Sequence, residues 1–274
     1  QAQIVGCDGI EGLRRGGAAP DIERRDPRFI RGTRRRIEQD EERIHCELTR
    51  LVQAAERWGL GDAVRVAGGA GDNAASAVGI GAVAPGSGFV SLGTSGVVFV
   101  TTDRFRPNPA LAVHAFCHAV PGRWHQMGVI LSAASALSWA ARLTGQPDVP
   151  ALVAPVPGLG PDREARAPLF LPYLSGERTP HNDPLAQGAL VGLTMDHGPA
   201  DIGYAVMEGV TFGLRDSLQA LRAAGTAVAQ LSLVGGGARN AFWAQQLASA
   251  LDVPIVTHSG GEAGAALGAA RLAW

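Results

Sequence analysis

A chain of 274 residues, 46% apolar, with a formal net charge of −1 and a pI near 6.7, has the make-up of a folded globular protein. The charge balance excludes the basic footprint of a dedicated nucleic-acid binder, and no apolar run reaches the ~18 residues of a membrane-spanning helix. All 24 basic residues are arginine, so a GxxxxGK[ST] loop, a Schiff-base lysine and a protein-kinase strand lysine are all absent, and any nucleotide phosphate has to be met by backbone N–H groups, hydroxyls and metal.

Residues 1–33 carry no periodicity and receive no fold; their polar, Gly-rich start does not read as a secretory signal. Arg34, Arg35 and Arg36 are offset by Glu38, Asp40, Glu41 and Glu42, as on a solvated helix face. Apolar residues from Ile37 to Trp58 recur at helical spacing and Gly59 and Gly61 end the run, which predicts an amphipathic helix over 34–58. Cys7, Cys46 and Cys117 are widely spaced and form no CxxC pair, which fits reduced thiols in a cytosolic protein rather than a disulfide framework or a zinc cage.

Val64–Ala67 reads as a short strand running into Gly68, Gly69 and Gly71 and the small-residue segment Asn73–Val83. Phe89–Ser91 and Gly96–Thr101 are strands joined by a turn at Gly93, Thr94 and Ser95. Trp124–Val129 is a strand, Leu131–Leu143 a helix and 150–168 a Pro-rich connector. Asp201–Ala223 has the pattern of a long helix; Gln230–Val234 is a strand entering Gly235, Gly236 and Gly237, with a helix over Asn240–Leu251 behind it. A strand at Val253–Val256 and a helix at Gly264–Ala273 close the chain. Strands clustered early and strand–helix alternation later predict an α/β domain with a mixed sheet flanked by helices.

Three glycine-rich junctions follow strands, each able to present N–H groups to an anion. In the first, Asp72 stands on a strand-to-helix turn, where a carboxylate accepts a hydroxyl proton in phosphoryl transfer or, on spacing alone, N-caps the next helix. The GxGxxG count fails there, since Ala74 stands where the third glycine belongs and no acidic residue follows at dinucleotide spacing. In the second, Thr94 and Ser95 place two hydroxyls beside Gly93, suited to a phosphate contact and equally to a tight turn. In the third, Gly235, Gly236 and Gly237 before Ala238 and Asn240 allow close approach to the backbone, as a nucleotide requires and a plain loop seldom does. The segment Tyr173–His181 reads as a structured loop at a surface or interface. His114, His118 and His125 lack carboxylates at ligand spacing, so they read as satisfied structural histidines and no metal ligand is assigned.

Taken in order, Gly71-Asp72-Asn73-Ala74-Ala75, Leu92–Gly96, His114–His118 with Trp124-His125, Leu171–His181, Gly188–Gly192, Glu208-Gly209, Gly235–Asn240 and Gly264–Gly268 resemble the FGGY family of carbohydrate kinases, and within it the xylulokinases, over 54–274. The resemblance implies an actin-like, ribonuclease-H-like ATPase fold and ATP-dependent phosphorylation of D-xylulose to D-xylulose 5-phosphate in the cytoplasm. ATP and Mg2+ enter as cofactors, and the sugar and ATP are the small-molecule partners. Asp72 is then the base, with Asp72 and Asn73 at the sugar. Gly93, Thr94 and Ser95 form a phosphate loop, and Gly235, Gly236, Gly237, Ala238 and Asn240 an adenosine motif. Family members begin with a further domain bearing an Asp-Gly-Thr loop and a Met-His-Gly segment, neither of which occurs in this chain; residues 1–53 do not resemble the end of that domain. A truncated or frame-shifted reading frame, or a partner chain carrying the other half, accounts for this, and homodimerisation is a further possibility for assembly. The alternative is a non-catalytic actin-like nucleotide-binding or regulatory module.

Overall fold

The computed structural model describes residues 56, 57, 59, 70–258 and 264–273. The expected helix over 34–58 and the strand Val64–Ala67 fall outside the described residues, apart from the end of the helix. Glu56 and Arg57 are helical, and Gly59, at φ +66°, donates its N–H to the Glu56 carbonyl at 3.0 Å. That is a helix stopped by a left-handed glycine. The proposed boundary at residue 53/54 also lies outside the described residues.

Helix α1 (Asp72–Ile80) leads through Gly81 (φ +78°) into β1 (Ser87–Leu92), which pairs antiparallel with β2 (Gly96–Thr102). Then come β3 (His114–Cys117), β4 (Trp124–Ile130), helix α2 (Ala134–Leu143), and the short helices α3 (Val149–Val153) and α4 (Pro161–Glu164). A hairpin of β5 (Leu169–Leu171) and β6 (Ala189–Val191) precedes the long helix α5 (Pro199–Ala223). The chain continues with β7 (Gln230–Val234), α6 (Ala241–Leu251), β8 (Ile255–Thr257) and α7 (Gly264–Ala273). Six strands form one sheet in the order β3-β4-β2-β1-β7-β8. Strands β3, β4, β2 and β1 are antiparallel neighbours, whereas β1, β7 and β8 run parallel, so the sheet is mixed as expected.

Strands β1 and β2 are apolar on both faces because both faces are covered. Val90, Leu92, Val98 and Val100, with Leu231 and Leu233 of β7, pack on Ala136 and Ala140 of α2, on Met207, Val210, Leu214 and Leu218 of α5, and on Trp243 and Leu247 of α6. On the other face Phe89, Phe99 and Val234 pack under Ala77 and Ala82 at the end of α1. Helix α7 lies directly on α1: a Cβ on Gly79 would overlap the Gly264 carbonyl, and one on Gly268 would overlap that of Ala75. Arg271 closes this contact by donating Nη1 hydrogen bonds to the carbonyls of Val78 (3.1 Å) and Gly79 (2.9 Å) in the last turn of α1.

The Pro-rich stretch 150–168 is more ordered than its composition indicates. Pro150 and Pro161 sit in the first turns of α3 and α4, where a missing N–H costs nothing, and Asp148 caps α3 by accepting the Ala151 N–H at 2.8 Å. Helix α2 starts at Ala134, three residues later than expected, because Leu131–Ala133 is occupied in holding the neighbouring turn and loop. Helix α5 is fixed at its start by Asp201, wholly buried, whose carboxylate accepts the Gly198 N–H (2.7 Å) and two bonds from Arg163 (2.6 and 2.7 Å). Burial pushes that carboxyl up, but the Arg163 guanidinium and the Gly198 N–H outweigh it and hold the group below the usual carboxylate range. No helix among the described residues is long and apolar enough to cross a membrane.

Candidate functional site

The second and third glycine junctions come together through the parallel pairing of β1 and β7. Ser91 stands opposite Val234, so the turn Gly93–Ser95 and the turn Gly235–Asn240 leave the same end of the sheet side by side, although about 140 residues separate them. At φ +86° Gly235 turns the chain against Leu92: a Cβ there would stand 2.8 Å from the Leu92 carbonyl oxygen. A Cβ on Gly237 would stand 2.7 Å from the Leu92 Cβ and 3.0 Å from the Trp243 ring. The close approach allowed by these two glycines is therefore to the protein's own β1. Gly236 is different. Its built Cβ meets nothing nearer than an Arg239 nitrogen at 3.8 Å, and one on Gly93 would meet only the Ser95 carbonyl oxygen, at 3.6 Å.

Residues 236–239 form a 3-10 turn, after which Asn240 caps α6 by accepting the Trp243 N–H at 3.0 Å. Asn240 is thus the cap rather than the first helical residue. Trp243 fixes α6 beneath the turn, its indole N–H donating to the Met207 carbonyl (3.2 Å) and the Thr211 hydroxyl (3.1 Å). Next to it on α5, Tyr204 donates its O–H to Glu208 Oε1 at 3.0 Å, and burial raises the pKa of both groups.

The turn Gly93–Ser95 is built onto the start of α2. The Thr94 carbonyl accepts the N–H groups of Ala133 (2.9 Å) and Ser135 (3.4 Å) and the Ser135 hydroxyl (2.7 Å), and the Gly93 carbonyl accepts the Ala134 N–H (2.9 Å). These are N–H groups a helix start leaves unpaired, so each element satisfies the other. With its carbonyls engaged on that side, the exposed Thr94 and half-buried Ser95 present the other side of the turn.

Asp72 is the first residue of α1 and is exposed; Gly71 is the cap residue, with no side chain to bond. The capping role open to Asp72 on spacing is therefore not the one it fills. Its Oδ1 accepts the Asn73 backbone N–H (2.8 Å) and the Asn73 amide Nδ2–H (3.1 Å), which holds the two side chains together. The C-terminal end of α1 is tied to the start of β1, since Thr101, next to the partner of Gly88, donates its hydroxyl to the Ala82 carbonyl at 2.7 Å. The end of α1 is thus fixed beside the start of β1, and Asp72 stands at the opposite end of the helix. Gly68 and Gly69 of the same junction lie outside the described residues.

The segment Tyr173–His181, expected as a structured loop at a surface or interface, is half interior. Glu177 and Thr179 are buried, while Arg178 and His181 are exposed. The reason is bonding to the backbone of β4 and its continuation, which no local pattern announces. His118 and His125 are buried against Phe99, and burial lowers both to about 4. His118 Nδ1 accepts the Val120 N–H (3.0 Å), yet His118 Nε2 and His125 Nδ1 lack hydrogen-bond partners, so the pair is less fully satisfied than expected.

The model of the FGGY family of carbohydrate kinases, C-terminal domain, matches residues 88–274, a stretch that begins after Asp72. The chain is 50% identical over 223 residues to the xylulose kinase of Escherichia coli K12, covering 81% of this chain and 46% of that protein. It is also 50% identical over 221 residues to the xylulose kinase of Klebsiella pneumoniae, covering 81% and 45%. The crystal structure of a xyloylose kinase from Brucella ovis superposes with a TM-score of 0.73 at 51% identity over 81% of this chain and 45% of that one. The xylulose kinase of Rhodospirillum rubrum gives a TM-score of 0.71 at 28% identity, covering 81% and 44%. The chain therefore spans about half the length of the relatives it matches. The mixed sheet, the helices on both its faces and these neighbours make the fold the actin-like ATPase type. On the match of the C-terminal-domain model to more than half its length, the chain belongs to the FGGY family of carbohydrate kinases.

Proposed function

We propose that the chain is the nucleotide-binding half of an ATP:D-xylulose 5-phosphotransferase, with Asp72 as the general base. The observation that carries the reading is the shared end of β1 and β7. It sets a hydroxyl-bearing turn, Gly93–Ser95, beside the open backbone at Gly236; Asp72, exposed at the start of α1, enters the reading as base on its place in the family's order of motifs. The relatives named xylulose kinase, at 50% identity, supply the sugar in the proposal.

In this reading Gly236 lies against the adenosine, with Asn240 and Ala238 beside it, and Thr94 and Ser95 meet the terminal phosphates through N–H and hydroxyl groups. The Asp72 carboxylate accepts the proton of the sugar hydroxyl as its oxygen bonds to the γ-phosphorus and the bond from that phosphorus to the bridging oxygen breaks, leaving ADP. Asn73, held by Asp72 Oδ1, keeps the carboxylate oriented. Among the described residues no group of three or more His, Cys, Asp or Glu side chains is placed to hold a metal. Magnesium would be carried on the nucleotide phosphates, where it would neutralise charge. The remaining sugar contacts belong to the half of the relatives that this chain does not span.

The test is xylulose-dependent ADP release by the chain completed with the half its relatives carry in addition. Release with xylulose and none with glycerol supports the reading; no sugar-dependent release by the completed enzyme removes it.

A further inference from the structure

Glu177 stands outside the roles assigned so far, and its surroundings are unusual. Strand β3 pairs with β4 only as far as Met127, which leaves the edge of β4 unpaired from there on. The segment 177–179 takes that edge over. Thr179 donates its N–H to the Val129 carbonyl (3.0 Å), accepts the Val129 N–H on Oγ1 (3.0 Å), and donates that hydroxyl to the Ala112 carbonyl (3.1 Å). Glu177, only 2% exposed, accepts the Leu131 N–H at 3.0 Å and the Arg178 N–H at 2.7 Å on Oε1. Its own backbone is clamped by reciprocal 2.8 Å bonds with Asp183.

Edge sealing alone needs no carboxylate. Thr179 achieves it with a hydroxyl and backbone, and a buried carboxylate is costly unless its oxygens are engaged. Oε2 has no hydrogen-bond partner, and burial pushes the carboxyl above its usual range against the pull of the two N–H donors. What the carboxylate reaches is Leu131, the first residue of the five-residue ledge Leu131–Ser135. The far end of that ledge holds the carbonyls of Gly93 and Thr94 through Ala133, Ala134 and Ser135. Ledge and turn are joined by four hydrogen bonds, so a shift at Leu131 is transmitted to Gly93–Ser95.

We infer that Glu177 is a positioning residue for the phosphate-binding turn: it sets the Leu131–Ser135 ledge, and the ledge sets Gly93–Ser95. The inference rests on the reading of Gly93–Ser95 as a phosphate contact. Charge-assisted hydrogen bonds from backbone N–H groups to a carboxylate are short and directional, which suits a group whose task is to fix a backbone height. The exposed Arg178 and His181 have no part in it.

The test is calorimetric titration of the 274-residue chain with ATP and, separately, with AMP, which lacks the phosphates the turn would meet. The variants are E177A, E177Q and S135A, with the double variant T94V/S95A as the control on the turn itself. The expected result is about a tenfold loss of ATP affinity in E177A and S135A, the size of one lost hydrogen-bond-grade interaction. AMP affinity stays unchanged, and E177Q loses less ATP affinity than E177A, because its amide oxygen accepts the same two N–H bonds without the charge. Equal losses for ATP and AMP in E177A would mean a structural role only and overturn the inference. If T94V/S95A weakens ATP selectively while E177A and S135A keep the wild-type ratio, the turn contacts phosphate but Glu177 does not position it. If T94V/S95A leaves the ratio unchanged, the phosphate reading fails and the inference falls with it. Should E177A not fold, S135A decides, since its half-exposed hydroxyl is the ledge-to-turn bond itself.

Discussion

Gly237 lies directly on Leu92: a Cβ built on it would stand 2.7 Å from the Leu92 Cβ, whereas one residue earlier Gly236 meets nothing within 3.7 Å, its nearest neighbour being Arg239 at 3.8 Å. The two adjacent glycines answer to different demands, and substitution separates them. Gly237→Ala forces Leu92, wholly buried, or the Trp243 ring to give way, at a cost of about 1–3 kcal/mol typical of overpacking. Gly236→Ala costs the fold less than about 0.5 kcal/mol, as for surface substitutions in general, but places a methyl where the nucleotide is proposed to lie. Urea unfolding read beside ATP titration distinguishes them. A Gly236→Ala chain with wild-type ATP affinity removes Gly236 from the site.

Asp72→Asn is the second expectation. The residue is exposed and starts α1, and an asparagine Oδ1 accepts the Asn73 N–H as the aspartate does, so stability changes little. As a general base its loss lowers turnover by roughly 10²–10⁴. In the completed enzyme, kcat should fall over that range while ATP affinity is kept. Turnover within threefold of wild type excludes Asp72 as the base.

Much of the fold was readable from local pattern, and the particulars show where local pattern stops. Strand β7 was found at its observed limits, Gln230–Val234, and α5 to within two residues, because each carries an unbroken run of its own period. Strand β3 escaped notice: it is an edge strand of four residues with two exposed, and it shows no alternation. The short helices of 150–168 were hidden by prolines that in fact start them. For the site, each glycine junction was visible singly. Their meeting depends on the pairing of Ser91 with Val234, and the hold of Glu177 on Leu131 spans 46 residues. Neither distance leaves a trace in spacing, and a buried Glu looks like an exposed one in sequence.

The contact of α1 with α7 gives a third expectation. Gly79 and Gly268 are places where backbone meets backbone, so a methyl has no flexible side chain to displace. Gly268→Ala must part the helices, which costs about 1–3 kcal/mol or more. Because α1 carries Asp72 at its far end, the shift should reach the base as well. In the completed enzyme, a lowered unfolding midpoint together with a lowered kcat and unchanged ATP affinity is the expected pattern. An unchanged midpoint would show that α7 does not bear on α1 in solution.

The buried histidines fix the response to acid. Burial holds His118 and His125 at about 4, below the ordinary 6.5, and the positive charges nearby (Arg123 for His118, His118 for His125) act in the same direction. Between these values the unfolded chain takes up protons that the folded chain refuses. The stability these groups contribute is therefore complete above about pH 6.5, declines as the pH falls towards 4, and levels off below it. Glu177 and Glu208, pushed up by burial, act in the opposite sense: their folded forms accept protons before the unfolded chain does, and lowering the pH through that range favours the fold. Their effect is unaltered by substitution at the histidines, so the difference between chains isolates the imidazoles. Urea midpoints measured from pH 7.5 to 4.5 should fall more steeply for the wild-type chain than for His125→Phe, whose ring retains the stacking on Phe99 without the ionisable nitrogens. Parallel curves for the two chains would mean that His125 is already charged in the folded protein, and that the cluster of Phe89, Phe99 and the two imidazoles admits enough water to stabilise it.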